Sequence, residues 1–513
     1  MKLIKTIEFK HKSKSLVLLG IIFFSTLIFR IFLVPFEVPV KLDAINYFIF
    51  AYDFAKTGIM PSSILETNDG WSMFLSFIFK IIGLDDFNLL NSTQRVTSIV
   101  LSSLTIIPIY LICKKYTNSN NTILGVTLFA FNPYVILNSL LGITESLYIF
   151  LISFSIYFII INDKKWIYLS PIFVGLASIV RYEGLLIIVP ICIFHVLLNR
   201  HTQKKFFRVV IIFLIFIILL LPIYVIRTEN NGIDGLTSHV FAGIKYTSSL
   251  EDDSIEKNLM ENNEQSKLSN FSINFFSNIF KYFFIISFPF LLIFSILGII
   301  NNIKIKNFNS LKLLIFLIFL LIPSLYAYGR NIEETRYLLV LIPILTVFSS
   351  ESISFFSKNL KKVVPIILII IIVSGMLFSI YNITDYQYEK EIYIISKYLV
   401  QNANGVNAYK GNNYDKIAFE ELSTDSKNIE KNSFSLPTKI VFSDSTSIRE
   451  NILNGRNNGL THLVVTENNR ETILNDIISN PDNYPYLNKV FDSKDFKFKN
   501  LIYIYKIDYE LIK

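Results

Sequence analysis

Four polar clusters interrupt a strongly apolar chain, and each carries residue types able to do chemistry. The first surrounds Asp43, in the run PFEVPVKLDAINYFIF that begins at Pro35. A carboxylate beside the end of an apolar helix, with aromatic neighbours such as Tyr47, is suited to take a proton from a hydroxyl group. Helix capping or simple solvation is the competing use of such an acid. The second and third clusters are Arg181-Tyr182-Glu183-Gly184 and Gly142-Ile143-Thr144-Glu145. Charges inside apolar segments are costly and usually face an internal cavity, which makes Arg181, Glu183 and Glu145 candidate site residues. For Arg181 and Glu183 a structural ion pair is the alternative. The fourth cluster is GRNIEETR at 329–336, where Arg330 and Arg336 bracket Glu333 and Glu334. A guanidinium can bind two oxygens of a phosphate at once, whereas an ordinary charged turn would pair these groups internally.

The elements that must position these residues are membrane helices. Of the 513 residues 52% are hydrophobic, the mean hydropathy is +0.49, and 47 are Phe against 2 Trp. This composition excludes a soluble globular protein. Apolar segments fall near 15–34, 94–113, 122–141, 145–161, 166–180, 184–199, 208–226, 279–300, 311–328, 337–350 and 363–381. That gives about eleven expected spans. The shorter run Trp71–Ile82 and the stretch after Asp43 read as helices lying at the membrane surface. Segments 166–180 and 184–199 are short for a bilayer core of roughly 30 Å, so their junction at Arg181 is expected below the outer surface.

The net charge of +8 resides in short Lys/Arg clusters between apolar segments and implies topology signals, not nucleic acid. By the positive-inside rule the N-terminal lysines, Lys114–Lys115, Lys164–Lys165, Arg200 through Arg208, Lys304–Lys306 and Lys358 through Lys362 face the cytoplasm. The loops 35–93, 227–278 and 329–336, and the chain beyond 381, then face outward. Loop 227–278 reads as partly disordered, with an ordered end near the membrane. Three Asn-x-Ser/Thr triplets, at Asn91, Asn270 and Asn382, fall on the same side. The lysines before the first apolar run are not followed by a small-residue cleavage site, so an uncleaved first helix is expected. Cys113 and Cys192 lie in apolar segments and suggest neither a disulfide nor a metal site.

Beyond residue 381 the composition turns to Asn, Lys, Asp, Ser and Tyr. Strand-like runs at Lys439–Phe442, His462–Thr466, Lys489–Phe491 and Leu501–Ile507 alternate with helix-like stretches at 387–400, 446–454 and 470–479. A small α/β or α+β domain over 382–513 is expected, after a transmembrane domain over 1–381. No nucleotide loop, GxSxG, HExxH or CxxC motif occurs in it.

This pattern resembles the GT-C superfamily of membrane glycosyltransferases, of the protein O-mannosyltransferase and aminoarabinose transferase type. The features that carry the resemblance run in order along residues 15–381. They are Asp43 with Tyr47 and Ala51, Asn68-Asp69-Gly70-Trp71, Thr144-Glu145-Ser146-Leu147, the run from Gly175 to Gly184 containing Arg181, and Arg336-Tyr337 ahead of Pro343. The resemblance implies a multi-pass enzyme of the cell membrane, with its N-terminus cytoplasmic and its C-terminal domain outside. It implies inverting transfer of a sugar from a polyprenyl (dolichyl-type) phosphate to a hydroxyl of a protein, lipid or glycan acceptor. Asp43 would be the general base. Arg181, Arg336 and Arg330 would bind the donor phosphate, and Glu145, Glu183 and Tyr47 would orient the substrate. Ala44 stands where a second acid is common in the family, so a metal ion is not expected; the DxD-type and other acidic metal motifs of oligosaccharyltransferases are not visible, which disfavours en bloc transfer of a glycan to Asn. The alternative from another class is a transporter or flippase of lipid-linked glycans. That reading predicts paired broken segments and polar groups near mid-membrane, whereas here they collect towards one side. A non-catalytic relative kept for its outer domain is a third possibility.

Overall fold

Apolar side chains that cannot be hydrated force most of this chain into helices, since a helix satisfies its own backbone polar groups. The computed structural model describes residues 2–512 except 42, 62–68, 118, 162, 164, 200, 202, 233–236, 239–240, 242–266, 288, 358–363, 384–385, 403–413, 426–446 and 467–471. The chain forms two compact units. The first comprises Met1–Val34, Ile64–Leu75 and Gln94–Asn382, and the second Pro35–Ser63, Ser76–Thr93 and Ile383–Lys513.

The first unit is a helical membrane domain. Among the described residues four helices are long and apolar enough to cross a bilayer: Ser15–Leu33, Phe87–Tyr116, Phe206–Glu229 and Val364–Tyr381. Two bent pairs bring this to six by length and composition, and four further apolar helices are shorter. The bends leave backbone groups that must find partners inside the apolar domain. At the 49° bend between Asn121–Ala130 and Pro133–Ser139, Asn132 caps the second helix by accepting from the amides of Tyr134 (3.0 Å) and Val135 (3.1 Å). Its side-chain nitrogen donates to the Ile286 carbonyl (2.8 Å), at the end of the helix Lys267–Ser287. The Ala130 carbonyl, exposed by the same bend, accepts from Thr26 and from the fully buried Arg30 (both 3.0 Å). A guanidinium at a helix C-terminus also meets the negative end of the helix dipole.

Close approach is set by small residues. A Cβ on Gly298 would lie 2.0 Å from the Phe348 carbonyl oxygen, so the helices Phe290–Lys304 and Ile342–Ser357 pack backbone to backbone there. Along that same pair the buried carboxylate of Glu351 accepts from Asn302 (2.6 Å) and from Ser310.

The second unit contains a three-stranded antiparallel sheet among its described residues, ordered β1-β3-β2, with β1 His462–Thr466, β2 Leu487–Asp492 and β3 Ile502–Ile507. The central strand buries both faces. Ile502 and Ile504 point into a core with Ile392, Ile395, Leu399 and Ile417, while Tyr503, Tyr505 and Ile507 meet Ile448, Ile452, Leu474 and Ile477 on the other side. The two-residue period of a strand thus serves two helical layers at once. Three of the expected strands and all three expected helical stretches are present, the latter as Tyr386–Asn402, Ile448–Arg456 and Thr472–Ser479. The run Lys439–Phe442, the cluster Lys358 through Lys362 and most of loop 227–278 lie outside the described residues.

The stretch after Asp43 differs from its expected use. It forms the helix Asp43–Thr57, but Ala44, Ile45 and Tyr47 through Asp53 are all buried. Phe48 packs among Phe79, Phe87 and Phe419 with ring centres 5.4–5.6 Å apart, so the apolar side chains of this helix are covered by protein. The helix Asp69–Ile82 keeps an exposed apolar row of Phe74, Phe77 and Ile81, the spacing of a surface-seeking face. The triplet asparagine Asn91 is not exposed. Its side chain accepts from the Val40 amide (2.8 Å) and donates to the Val38 carbonyl (3.3 Å). A triplet records local sequence and not burial. Substituting Asn91→Ala leaves the Val40 amide without its acceptor and is expected to destabilise the protein by about 1–3 kcal/mol. Thermal unfolding in detergent checks this, and mass spectrometry of the peptide containing Asn91 should find no carbohydrate.

Candidate active site

The site is built where the helix Leu169–Val180 stops. Arg181 leaves the helix in an extended conformation (φ −148°, ψ 126°), and the chain resumes as a 3-10 turn, Tyr182–Ile187, before the helix Ile188–Leu198. Twelve helical residues span roughly 18 Å, less than an apolar slab of roughly 30 Å. Two glycines permit the break. A Cβ on Gly184 would come within 2.8 Å of the Ser178 backbone, and one on Gly70 within 2.7 Å of the Ile179 and Val180 backbone. The N-terminus of the helix Asp69–Ile82 therefore abuts the residues that lead into Arg181.

The guanidinium of Arg181 is buried and held on two sides. Its Nη2 donates to Glu183 Oε1 (2.8 Å) and its Nε to Glu183 Oε2 (3.3 Å), a two-pronged grip. Its Nη1 donates to Thr144 Oγ1 (3.1 Å) and to the carboxylate of Glu145, the first residue of the helix Glu145–Ile161. Tyr148, one turn further along that helix, places its ring centre 6.0 Å from Arg181. Tyr337 stands between two cations, with Arg181 6.0 Å and Arg336 5.6 Å from its ring centre. Arg336 opens the short helix Arg336–Leu339 and pairs with Glu334. Glu145, Tyr148, Arg181, Glu183, Arg336 and Tyr337 line one small pocket with about 20 Å³ of enclosed space, bounded on its apolar side by Leu320, Pro323 and Val340.

The structure thus brings together four of the residues singled out in the sequence. Arg330 is not among them. It is exposed, with Nη1 donating to the Tyr326 hydroxyl (3.0 Å) and the guanidinium 5.3 Å from that ring. Glu333 accepts from Lys281 (2.9 Å) and Tyr282 (3.0 Å), and these hydrogen bonds hold its carboxyl below the usual range. Asp43 and Tyr47 belong to the second unit, where Asp43 is the half-buried first residue of its helix and Tyr47 lies one turn on. Asn68 lies outside the described residues.

Sequence reasoning missed two parts of this region. Tyr148 had a signal in its three-residue spacing from Glu145 on one helix. The buried pair Asp69–Arg227 (2.9 Å) had none, because it joins the start of one helix to the last turns of another, Lys205–Asn231.

The comparisons agree with this architecture. Residues 71–226 match the family model described as dolichyl-phosphate-mannose-protein mannosyltransferase. The oligosaccharyltransferase of Archaeoglobus fulgidus, solved with Zn and sulfate, superposes with a TM-score of 0.58 at 13% identity, over 86% of this chain and 67% of that one. ArnT from Cupriavidus metallidurans in the apo state superposes with a TM-score of 0.54 at 8% identity, over 98% of both chains. The same ArnT bound to undecaprenyl phosphate gives 0.50 at 9% identity, over 96% of this chain and 97% of that one. The chain has the GT-C fold. The resemblance drawn from the sequence holds, and the protein is an α-helical integral membrane protein with a small C-terminal sheet domain. No curated protein matches the chain.

The two close glycine contacts give a direct check on how this junction is packed. Gly184→Ala and Gly70→Ala must each push backbone apart and are expected to destabilise the protein by about 1–3 kcal/mol. A lowered thermal midpoint in detergent measures it, and Gly20→Ala, where nothing lies within 4 Å, is the control.

Proposed function

We propose that this GT-C protein transfers a sugar, with inversion, from a polyprenyl phosphate donor to an acceptor hydroxyl at the outer face of the cell membrane. The observation that carries this reading is the cavity in which Arg181 and Arg336 stand with Glu145 and Glu183 inside an apolar helical domain. Paired charges in such surroundings suit a ligand with an anionic head, polar hydroxyls and an apolar tail. ArnT, which shares the fold, has been solved with undecaprenyl phosphate, and the matching family model is named for a dolichyl phosphate sugar.

In this reading Asp43 accepts the proton of the acceptor hydroxyl as that oxygen bonds to the anomeric carbon. The bond from the anomeric carbon to the phosphate oxygen breaks with its electron pair, and polyprenyl phosphate leaves. Negative charge grows on that phosphate, and cations already in place stabilise it without reorganisation. Arg336 is the better placed of the two arginines for direct contact, because its carboxylate partner Glu334 is half-exposed. Arg181 adds its charge from between Glu145 and Glu183, and so fixes those two carboxylates to receive sugar hydroxyls. Tyr47 orients the acceptor near Asp43. Arg330, exposed and turned to Tyr326, is given no direct contact. The mechanism needs no metal ion, a reading that rests on Ala44 standing beside Asp43.

The test is transfer of radiolabelled sugar from a panel of polyprenyl phosphate donors in membranes carrying the protein. Asp43→Asn is expected to abolish transfer while donor binding survives. Arg336→Ala is expected to lower kcat by about 100-fold or more. Wild-type rates in Asp43→Asn would remove the base assignment and direct attention to Glu145 and Glu183. Failure of the correctly inserted protein with every donor would favour movement of a lipid-linked glycan instead.

A further inference from the structure

Asp43 begins its helix at the end of a segment that cannot hold itself in place. Residues 34–41 form neither helix nor strand. Proton abstraction tolerates little displacement of the base, so something must fix this segment. Within the second unit three side-chain contacts do so. Asn91 brackets it through Val38 and Val40. Lys390 pairs with Glu37. Lys41, whose carbonyl accepts from the Ala44 amide (3.2 Å) at the first turn of the Asp43 helix, donates to Glu389 Oε1 (3.4 Å). The last two partners come from one helix, Tyr386–Asn402, which belongs to the C-terminal domain.

Glu389 is itself fixed. It is 5% exposed, and its second oxygen pairs with Lys416, which is 1% exposed on the helix Tyr414–Asp425. Three residues along that helix, Phe419 packs on Phe48, which belongs to the Asp43 helix. The C-terminal domain therefore grips both sides of Asp43, by charge at Lys41 and by aromatic packing one turn beyond the acid. A domain tethered only for its own function would have no need of a buried carboxylate reaching back to a loop 348 residues earlier in the chain.

We infer that Glu389 is a positioning residue for Asp43: braced by Lys416, it holds Lys41 and thereby sets where the base stands, which makes residues 383–513 part of the catalytic apparatus. This rests on the reading of Asp43 as the base. A purely structural role for the triad would lower stability without a selective effect on the chemical step.

The experiment uses the full chain in proteoliposomes with a donor found active above. Glu389→Gln, the double variant Glu389→Gln/Lys416→Met, which leaves no buried lysine unpaired, and Lys41→Met, which removes the contact from its more exposed end, are compared with wild type. Expected are a kcat at least tenfold lower with donor KM within twofold, and amide exchange over residues 36–41 at least tenfold faster. Glu389→Gln combined with Asp43→Asn should be no slower than Asp43→Asn alone, within twofold. Unchanged exchange over 36–41 in the folded double variant and in Lys41→Met would overturn the inference, as would a kcat within twofold of wild type while Asp43→Asn is inactive. If Asp43→Asn transfers normally, the base assignment fails, and the exchange rates alone then decide whether Glu389 holds the segment.

Discussion

A guanidinium buried in an apolar helical domain must be neutralised, and most features of the membrane unit follow from how Arg181 is. One carboxylate comes from two residues further along its own chain and the other from the start of a separate helix. The first fixes the local break, since Glu183 can fold back on Arg181 only where the helix has stopped. The second fixes the tertiary arrangement, because Glu145 must present the N-terminus of its helix at the same point. Removing the guanidinium would leave two buried carboxylates uncompensated at low dielectric, which typically costs several kcal/mol, so these three residues act as one unit. The glycines at 70 and 184 are consequences of this, as the backbone must approach closely where the helix breaks.

The same economy of charge separates Arg181 from Arg336. A guanidinium already gripped by a bidentate carboxylate has little freedom to wrap a phosphate, whereas one paired to a half-exposed glutamate can exchange that partner for a ligand. Tyr337 between them offers its ring face to both, which eases the repulsion of two cations lining one small cavity.

What the sequence made legible was whatever depends on local pattern. Charges at Glu145, Arg181, Glu183 and Arg336 were visible because each interrupts an apolar run, and the strands at 462–466, 487–492 and 502–507 were visible because β-branched and aromatic residues cluster there. Pairings across long separations were not. Asp69 with Arg227 and Lys41 with Glu389 each look like solvated charges when read along the chain. Asn91 shows what a local signal leaves out: the triplet is genuine, but its amide is spent on the backbone of residues 38 and 40. The helix after Asp43 is a related case, since apolar residues beside polar ones look the same whether their partner is lipid or Phe419.

The division of the chain into units changes what the C-terminal domain is for. By composition the boundary falls near residue 382, and the domain reads as an appendage with no motif of its own. By packing, residues 35–63 and 76–93 belong with it, so the loop that carries Asp43 is folded as part of that domain. Asp43 and Arg181 thus lie in separately packed units, Asp43 opening a helix packed among the aromatic side chains of the second and Arg181 held between two buried carboxylates in the first.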